Sequence, residues 1–249
     1  MGRRELLRRF AFGTGALALL GCGGESVLTE AETGAGGTAG NGSCTRIPTE
    51  TAGPFPGDGS NGANVLNQTG VVRTDIRSSF AGLSGTATGV PLTIRLTLVS
   101  ASTCDVLAGR AVYLWHCDAL GRYSLYTSGV TNQNWLRGVQ GADADGVVTF
   151  TSIYPGCYAG RWPHIHFEVY PTLVSSTSVA NKIATSQIAL PKASSDLVYA
   201  TSGYGNSASN AAQSALSTDN VFSDGSALEL ATVTGSVSSG FVASLTVAV

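Results

Sequence analysis

Two of the three histidines in this 249-residue chain stand one residue apart, in the stretch GCYAGRWPHIHFEVY, Gly156 to Tyr170. Side chains alternate along an extended strand, so His164, His166 and Glu168 share one face and Ile165, Phe167 and Val169 the other. With the apolar set turned to a core, both imidazoles reach one point. That is a geometric start for a metal site, and His-x-His pairs serve zinc, copper and iron alike. A pair of solvent-facing histidines is the plainer alternative. His116 lies in a hydrophobic run and, with Trp115, reads as packing. Cysteines, if disulfide-bonded, cannot ligate. Tyrosine remains. Tyr158 follows the Pro155-Gly156 turn, and Tyr123 follows the turn ALGR. A free phenol titrates near ~10, so a tyrosinate at neutral pH needs a strongly Lewis-acidic cation. Hard, anionic oxygens favour a trivalent ion, Fe(III). Two tyrosinates and two neutral histidines leave one positive charge on such a site. One hydroxide neutralises it, and a chelating dianion could replace the hydroxide.

Strands must hold these residues. LTIRLTLV (Leu92 to Val99) alternates apolar and polar, and RAVYLWHC (Arg110 to Cys117) is β-branched and aromatic. GVVTFTSIYPG closes in a Pro-Gly turn. HIHFEVY, KIATSQIAL, ALELATV and FVASLTVAV continue the pattern, with turn signals DALG, DADG and SDGS between strands. One short helix is expected at Ala208 to Leu216. The fold class predicted is all-β, an antiparallel β-sandwich or barrel, with residues 44–90 an irregular arm against it.

Composition bounds the function. Only 12% of residues are charged, 43% are hydrophobic, and the formal net charge is −2. With no basic stripe after the N-terminus, nucleic-acid binding is not expected. Residues 1–21 read as a signal peptide: MGRRELLRRF carries two Arg pairs, and AFGTGALALLG is an apolar run too short for a membrane span. LLGC resembles a lipobox, which predicts a lipid on Cys22, and the Arg pairs resemble a twin-arginine signal. Residues 22–43, rich in Gly, Ser, Thr and Ala, read as a flexible tether. The folded domain expected is then 44–249, exported and lipid-anchored at the cell envelope. Four cysteines remain after Cys22, and an even count in an exported protein suggests two disulfides. The expected pairs are Cys104–Cys117 and Cys44–Cys157, with buried free thiols as the alternative.

VYLWHCDALGRYSLY, followed by RGVQGADADGVVTFTSIYPGCYAGRWPHIHF, resembles the intradiol ring-cleavage dioxygenases. That family's pattern is Trp-x-x-Asp-Ala-x-Gly-x-Tyr-Ser, then Pro-Gly-x-Tyr, then Arg-x-x-His-x-His. TETAGPFP resembles its N-terminal arm, TSQIALP a strand beyond the histidines, and GFVASLTVAV the closing strand of exported members. The resemblance spans about residues 44–249. It implies a β-sandwich whose long loops form a nonhaem iron cleft. The metal ligands would be Tyr123, Tyr158, His164 and His166, with Tyr123 and His164 equatorial and Tyr158 and His166 axial. Arg161 would be the active-site arginine and Gln187 the glutamine beside it. The implied reaction inserts O2 between the hydroxyl-bearing carbons of a catechol, giving a cis,cis-muconate. Tyr158 would leave the metal as a base, and Arg161 would stabilise charge developing on the ring.

The chain departs from the family pattern at Trp162-Pro163, where Pro-Ala is usual, and at Cys157. GPFP stands for Gly-Pro-Tyr-Tyr, and SQIALP lacks an aromatic after Gln187. Phe55, Pro56 and Asp75 are candidate pocket-lining residues. Glu168, one step beyond the histidines, is expected in a supporting or exposed role. The partners expected are a small aromatic diol and O2, with the membrane met only through the lipid and homo-oligomerisation left open. Two other readings stand beside the enzyme: a non-catalytic lipid-anchored module binding catechol-type ligands or sugars, and a zinc hydrolase using the same His pair.

Overall fold

The computed structural model describes residues 44–249. The signal peptide, Cys22 and the tether therefore lie outside the described residues. Eight strands form two four-stranded sheets: β1 (Pro91–Val99), β2 (Ala111–Trp115), β3 (Arg137–Gly141), β4 (Val147–Ile153), β5 (His164–Tyr170), β6 (Ala184–Ala189), β7 (Thr232–Ser236) and β8 (Gly240–Ala248). One sheet has the order β4-β1-β8-β7, the other β3-β2-β5-β6. The described pairings are antiparallel except β1 with β8, which run parallel. Two helices, α1 (Lys192–Tyr199) and α2 (Ser207–Ala212), follow β6.

Between the sheets lies the main core. Leu92, Ile94, Leu96 and Leu98 point inward from β1 and meet Val112, Leu114, Ile165, Phe167 and Val169 from the facing sheet. The strict alternation of β1 reflects one buried face and one open face. β2 and β5 are buried throughout. Their outer face, with Tyr113, Trp115 and Tyr170, lies under a second core built by Val65, Leu66, Val71 and Phe80 of the arm. The histidine-bearing face is thus a covered one, which sets aside the alternative of solvent-facing histidines.

The arm also closes sheet edges. Val139 donates its amide to Val71 O and accepts from Arg73 N at the edge of β3, and Ile76 and Thr74 bond Thr151 at the edge of β4. Unpaired edge groups are satisfied in this way. Arg137, fully buried, ties the arm down. Its guanidinium donates to the carbonyls of Phe55 (2.9 Å) and Pro56 (2.6 Å), and to the carbonyl and hydroxyl of Ser124.

Three expectations are corrected. The expected helix at 208–216 is shorter, Ser207–Ala212, and α1 was not foreseen. ALELATV is not a strand up to Ala231. Its backbone instead bridges Ala189 at the end of β6, through Glu229 O and Ala231 N. The disulfide joins Cys44 to Cys104, while Cys117 and Cys157 are buried free thiols. The reason is strand length. Cys104 sits in the turn after β1, and β2 then carries Cys117 to the opposite end of the sandwich, about 3.3 Å per residue. Cys44 lies beside that turn, its amide bonded to Ala101 O.

The bond closes a 60-residue loop, which bounds its stabilisation at about 4 kcal/mol. Replacing Cys44 and Cys104 together by Ser should lower the urea midpoint, with a loss of about 2–4 kcal/mol. Peptide mapping without reductant should recover only the Cys44–Cys104 link; a Cys104–Cys117 peptide would refute the assignment.

Candidate active site

Two tight turns and one strand bring the predicted ligands together. Asp118 Oδ1 accepts the amides of Leu120 and Arg122, and Oδ2 pairs with the Arg122 guanidinium, which shapes the turn that delivers Tyr123. Gly156 passes against this turn so closely that a Cβ would sit 2.5 Å from Ala119 O. Only glycine allows that approach, and it places Tyr158 beside Tyr123. β5 supplies the imidazoles.

The four donor atoms lie almost edge to edge. Tyr123 Oη is 3.4 Å from Tyr158 Oη, 3.4 Å from His164 Nε2 and 3.2 Å from His166 Nε2. Tyr158 Oη is 3.0 Å from His164 Nε2, and the two Nε2 atoms are 3.1 Å apart. For donors about 2.1 Å from one shared ion, neighbours at right angles lie about 3.0 Å apart and tetrahedral neighbours about 3.4 Å. The donor chemistry agrees with that spacing. His164 Nδ1 donates to Trp162 O, which leaves a bare lone pair on its Nε2. His166 has no protein partner at Nδ1 and is held instead by the Trp115 ring, stacked at 5.0 Å and 6°. Gly53, at φ +67°, lies against its other edge, where a Cβ would sit 3.4 Å from Cε1. The residues fit a cation of high charge. Among the described residues no group of three or more His, Cys, Asp or Glu forms a metal cluster, so the tyrosines are what complete this donor set.

Without a cation the site is neutral. Burial drives the His164 pKa down to about 3 and that of His166 well below its usual value. Burial likewise lifts Tyr158 to about 12 and Tyr123 well above a free phenol. Tyr123 is 2% exposed, whereas Tyr158 is only partly buried.

Arg161 borders the donors. Its Nη1 is 3.5 Å from His164 Nε2, its Nη2 donates to Gln187 Oε1 at 2.7 Å, and its Nε pairs with Asp219 at 2.9 Å. Gln187 sits opposite His166 on β6 and donates to Thr51 O of the arm. Phe55 packs its ring on Tyr123 and Tyr126, each at 5.2 Å, so it borders the site. Pro56 is drawn toward Arg137 and Tyr113 through its carbonyl. Asp75 lies elsewhere, in an exposed pair with Arg77. Glu168 is not exposed: it is fully buried, paired to Lys182 and accepting from Tyr170. His116 is a packing residue, bonded to Cys117 O and Ser152 Oγ.

Sequence reasoning missed Asp219, Arg137, Thr51 and Gly53. Asp219 carries a local signal, since its Oδ1 accepts the amides of Val221 and Phe222, but that pattern announces only a turn.

The family model described as "Dioxygenase" matches residues 72–174. Among solved structures, an intradiol ring-cleavage dioxygenase from Tetranychus urticae matches with a TM-score of 0.66 at 24% identity, covering 82% of this chain and 94% of its own. The dioxygenase domain of a carbohydrate-binding fusion protein from Streptomyces sp. SirexAA-E gives 0.51 at 21%, covering 82% and 98%. Hydroxyquinol 1,2-dioxygenase from Pseudomonas putida DLL-E4 gives 0.50 at 16%, covering 83% and 67%. At such identities the structural likeness is one of fold. No curated protein matches in sequence.

The depressed histidine pKa values set a pH dependence. In the metal-free domain a histidine that titrates near 6.5 when unfolded stays neutral when folded. The unfolded chain then binds more protons, so stability falls as pH drops below about 6.5, by roughly 1.4 kcal/mol per unit per group. Replacing His166 by Gln should flatten the metal-free thermal midpoint between pH 6.5 and 4. An unchanged slope would place its pKa in the normal range.

Proposed function

With the chain a member of the intradiol ring-cleavage dioxygenase family, we propose that it opens catechol-type aromatic diols between their hydroxyl-bearing carbons. The reaction would use O2 and nonhaem Fe(III) and give a cis,cis-muconate-type product. The observation that carries this reading is the packing of the Tyr123, Tyr158, His164 and His166 donors, five of whose six pairs lie 3.0–3.4 Å apart. Ferric iron held there supplies the Lewis acidity that lets phenols and a catechol ionise at neutral pH and that activates the ring toward O2.

The chain's own residues divide the remaining work. Tyr123 is buried behind Phe55 and stays as a fixed ligand. Tyr158 is the more exposed of the two, and its Oη would take up a proton from an arriving catechol hydroxyl as it leaves the donor set. His164, locked by Trp162 O, keeps its lone pair inward. Arg161 presents Nη1 beside the donors, where a fixed positive charge stabilises negative charge spreading over the ring. A module that only binds its ligand has no use for a tyrosine able to act as both ligand and base. A zinc hydrolase has no use for two phenols.

The location is part of the same proposal: an exported enzyme held at the cell envelope by a lipid on Cys22. The Cys44–Cys104 disulfide supports an oxidising compartment.

Purified protein should be burgundy from tyrosinate-to-iron charge transfer, contain about one iron per chain, and consume O2 with catechols. Tyr158→Phe should keep iron and lose at least about 100-fold in kcat. His166→Ala should lose most of the iron. Metal analysis and oxygen uptake across a catechol panel, with product identification, decide the matter. A colourless zinc protein indifferent to O2 would sink the reading.

A further inference from the structure

We propose that Asp219 is the positioning residue that aims Arg161 at the reacting ring, an inference that rests on the dioxygenase reading above. Asp219 lies in the segment between α2 and β7, beyond the residues 72–174 that the family model matches. Its side chain is fully buried. Oδ2 accepts from Arg161 Nε at 2.9 Å and from the Trp162 amide at 2.7 Å. Oδ1 accepts from the amides of Val221 at 2.9 Å and Phe222 at 3.3 Å. Burial alone would raise its pKa, but these donors hold the carboxyl below the ordinary value. The carboxylate is therefore anchored to its own segment by one oxygen and grips the site by the other.

The geometry explains why this matters for Arg161. A guanidinium is planar, with donors at fixed angles. Here Nε is tethered to Asp219 and Nη2 to Gln187. Two tethers fix the plane, and Nη1 becomes the corner pointing at His164 Nε2. With Asp219 neutralised, the bond to Gln187 and a loose contact with the Phe222 ring at 5.9 Å would be left to hold a side chain that can swivel. The same Oδ2 holds the amide of Trp162, whose carbonyl accepts from His164 Nδ1. Arginine and histidine thus keep their relative placement through one carboxylate that touches neither metal nor substrate.

A hydrogen bond to a charged group contributes about 1.5–3 kcal/mol, which corresponds to a rate effect of roughly 10- to 100-fold. Asp219→Asn should therefore lower kcat on catechol by about that factor. Iron content, and affinity for catechol measured without oxygen by fluorescence quenching, should stay within about threefold, because charge spreads onto the ring only during attack. If Asp219 acts through Arg161, adding Asp219→Asn to Arg161→Gln should cost less than about twofold more. A second readout needs neither iron nor turnover. In the metal-free protein the Arg161 Nε–H should give a slowly exchanging, downfield NMR signal that is absent in Asp219→Asn.

A kcat within twofold of the parent, an additive loss in the Arg161→Gln background, or no such Nε–H signal in the parent would each overturn the proposal. Where Asp219→Asn does not fold, Asp219→Ser keeps an oxygen for the Trp162 amide and is judged by the same criteria. A parent protein that holds iron without cleaving any catechol, or holds no iron, removes the dioxygenase reading and this inference with it. An active parent with an unaffected Asp219→Asn removes this inference alone.

Discussion

Four electron-rich donors packed this closely and largely buried suit a positive charge between them. Two imidazole Nε2 atoms 3.1 Å apart cannot both present lone pairs to each other at rest, and His164 has already committed its ring proton to a carbonyl. Two phenols that burial drives toward protonation stand within 3.4 Å of each other. A highly charged cation satisfies the four donor atoms at once, while His166 Nδ1 stays without a side-chain or backbone partner. That constraint explains why the surrounding structure is so heavily braced.

The bracing comes from covering a sheet on both faces. β5 is an inner strand of its sheet, with one side in the main core. Its histidine-bearing side would be open to water without the arm. The arm is held at Cys44 by the disulfide, along its length by backbone bonds to the sheet edges, and near the site by the buried Arg137. Thr51, Gly53 and Phe55 then arrive against Gln187, His166 and Tyr123. Excluding water raises the electrostatic stakes within the site. The disulfide, distant from the chemistry in sequence, thus bears on the donors through the placement of one chain segment.

Much of this was legible in the sequence for a local reason. Alternation in HIHFEVY follows from strand geometry, so the shared face of His164 and His166 needs no long-range information. The turns that deliver Tyr123 and Tyr158 carry their own residues, Asp118, Gly121 and Gly156. What alternation cannot say is whether the second face is wet. Glu168 shows the consequence, being buried and neutralised by Lys182 from a segment 14 residues on. Proximity along the chain suggests Cys104–Cys117, but the intervening strand β2 carries Cys117 away from Cys104, which pairs with Cys44 instead. Asp219 was invisible because its partners Arg161 and Trp162 stand nearly sixty residues earlier. No local pattern records such a pairing.

Trp162-Pro163, the departure from the family pattern nearest the histidines, finds its reason in the same long-range contact. Trp162 is nearly buried and clusters with Ala189, Val221 and Phe222. Its indole donates to Leu190 O at the end of β6, and its amide to Asp219. A smaller residue in its place would leave a gap between the His-bearing strand and the 219–222 segment, and proline would have no amide to offer Asp219. In this chain, then, the large residue before Pro163 and the distant carboxylate form one device. Trp162 gives the segment an apolar seat, and Asp219 uses that seat to reach Arg161. Substitution at either position alone would misplace the guanidinium.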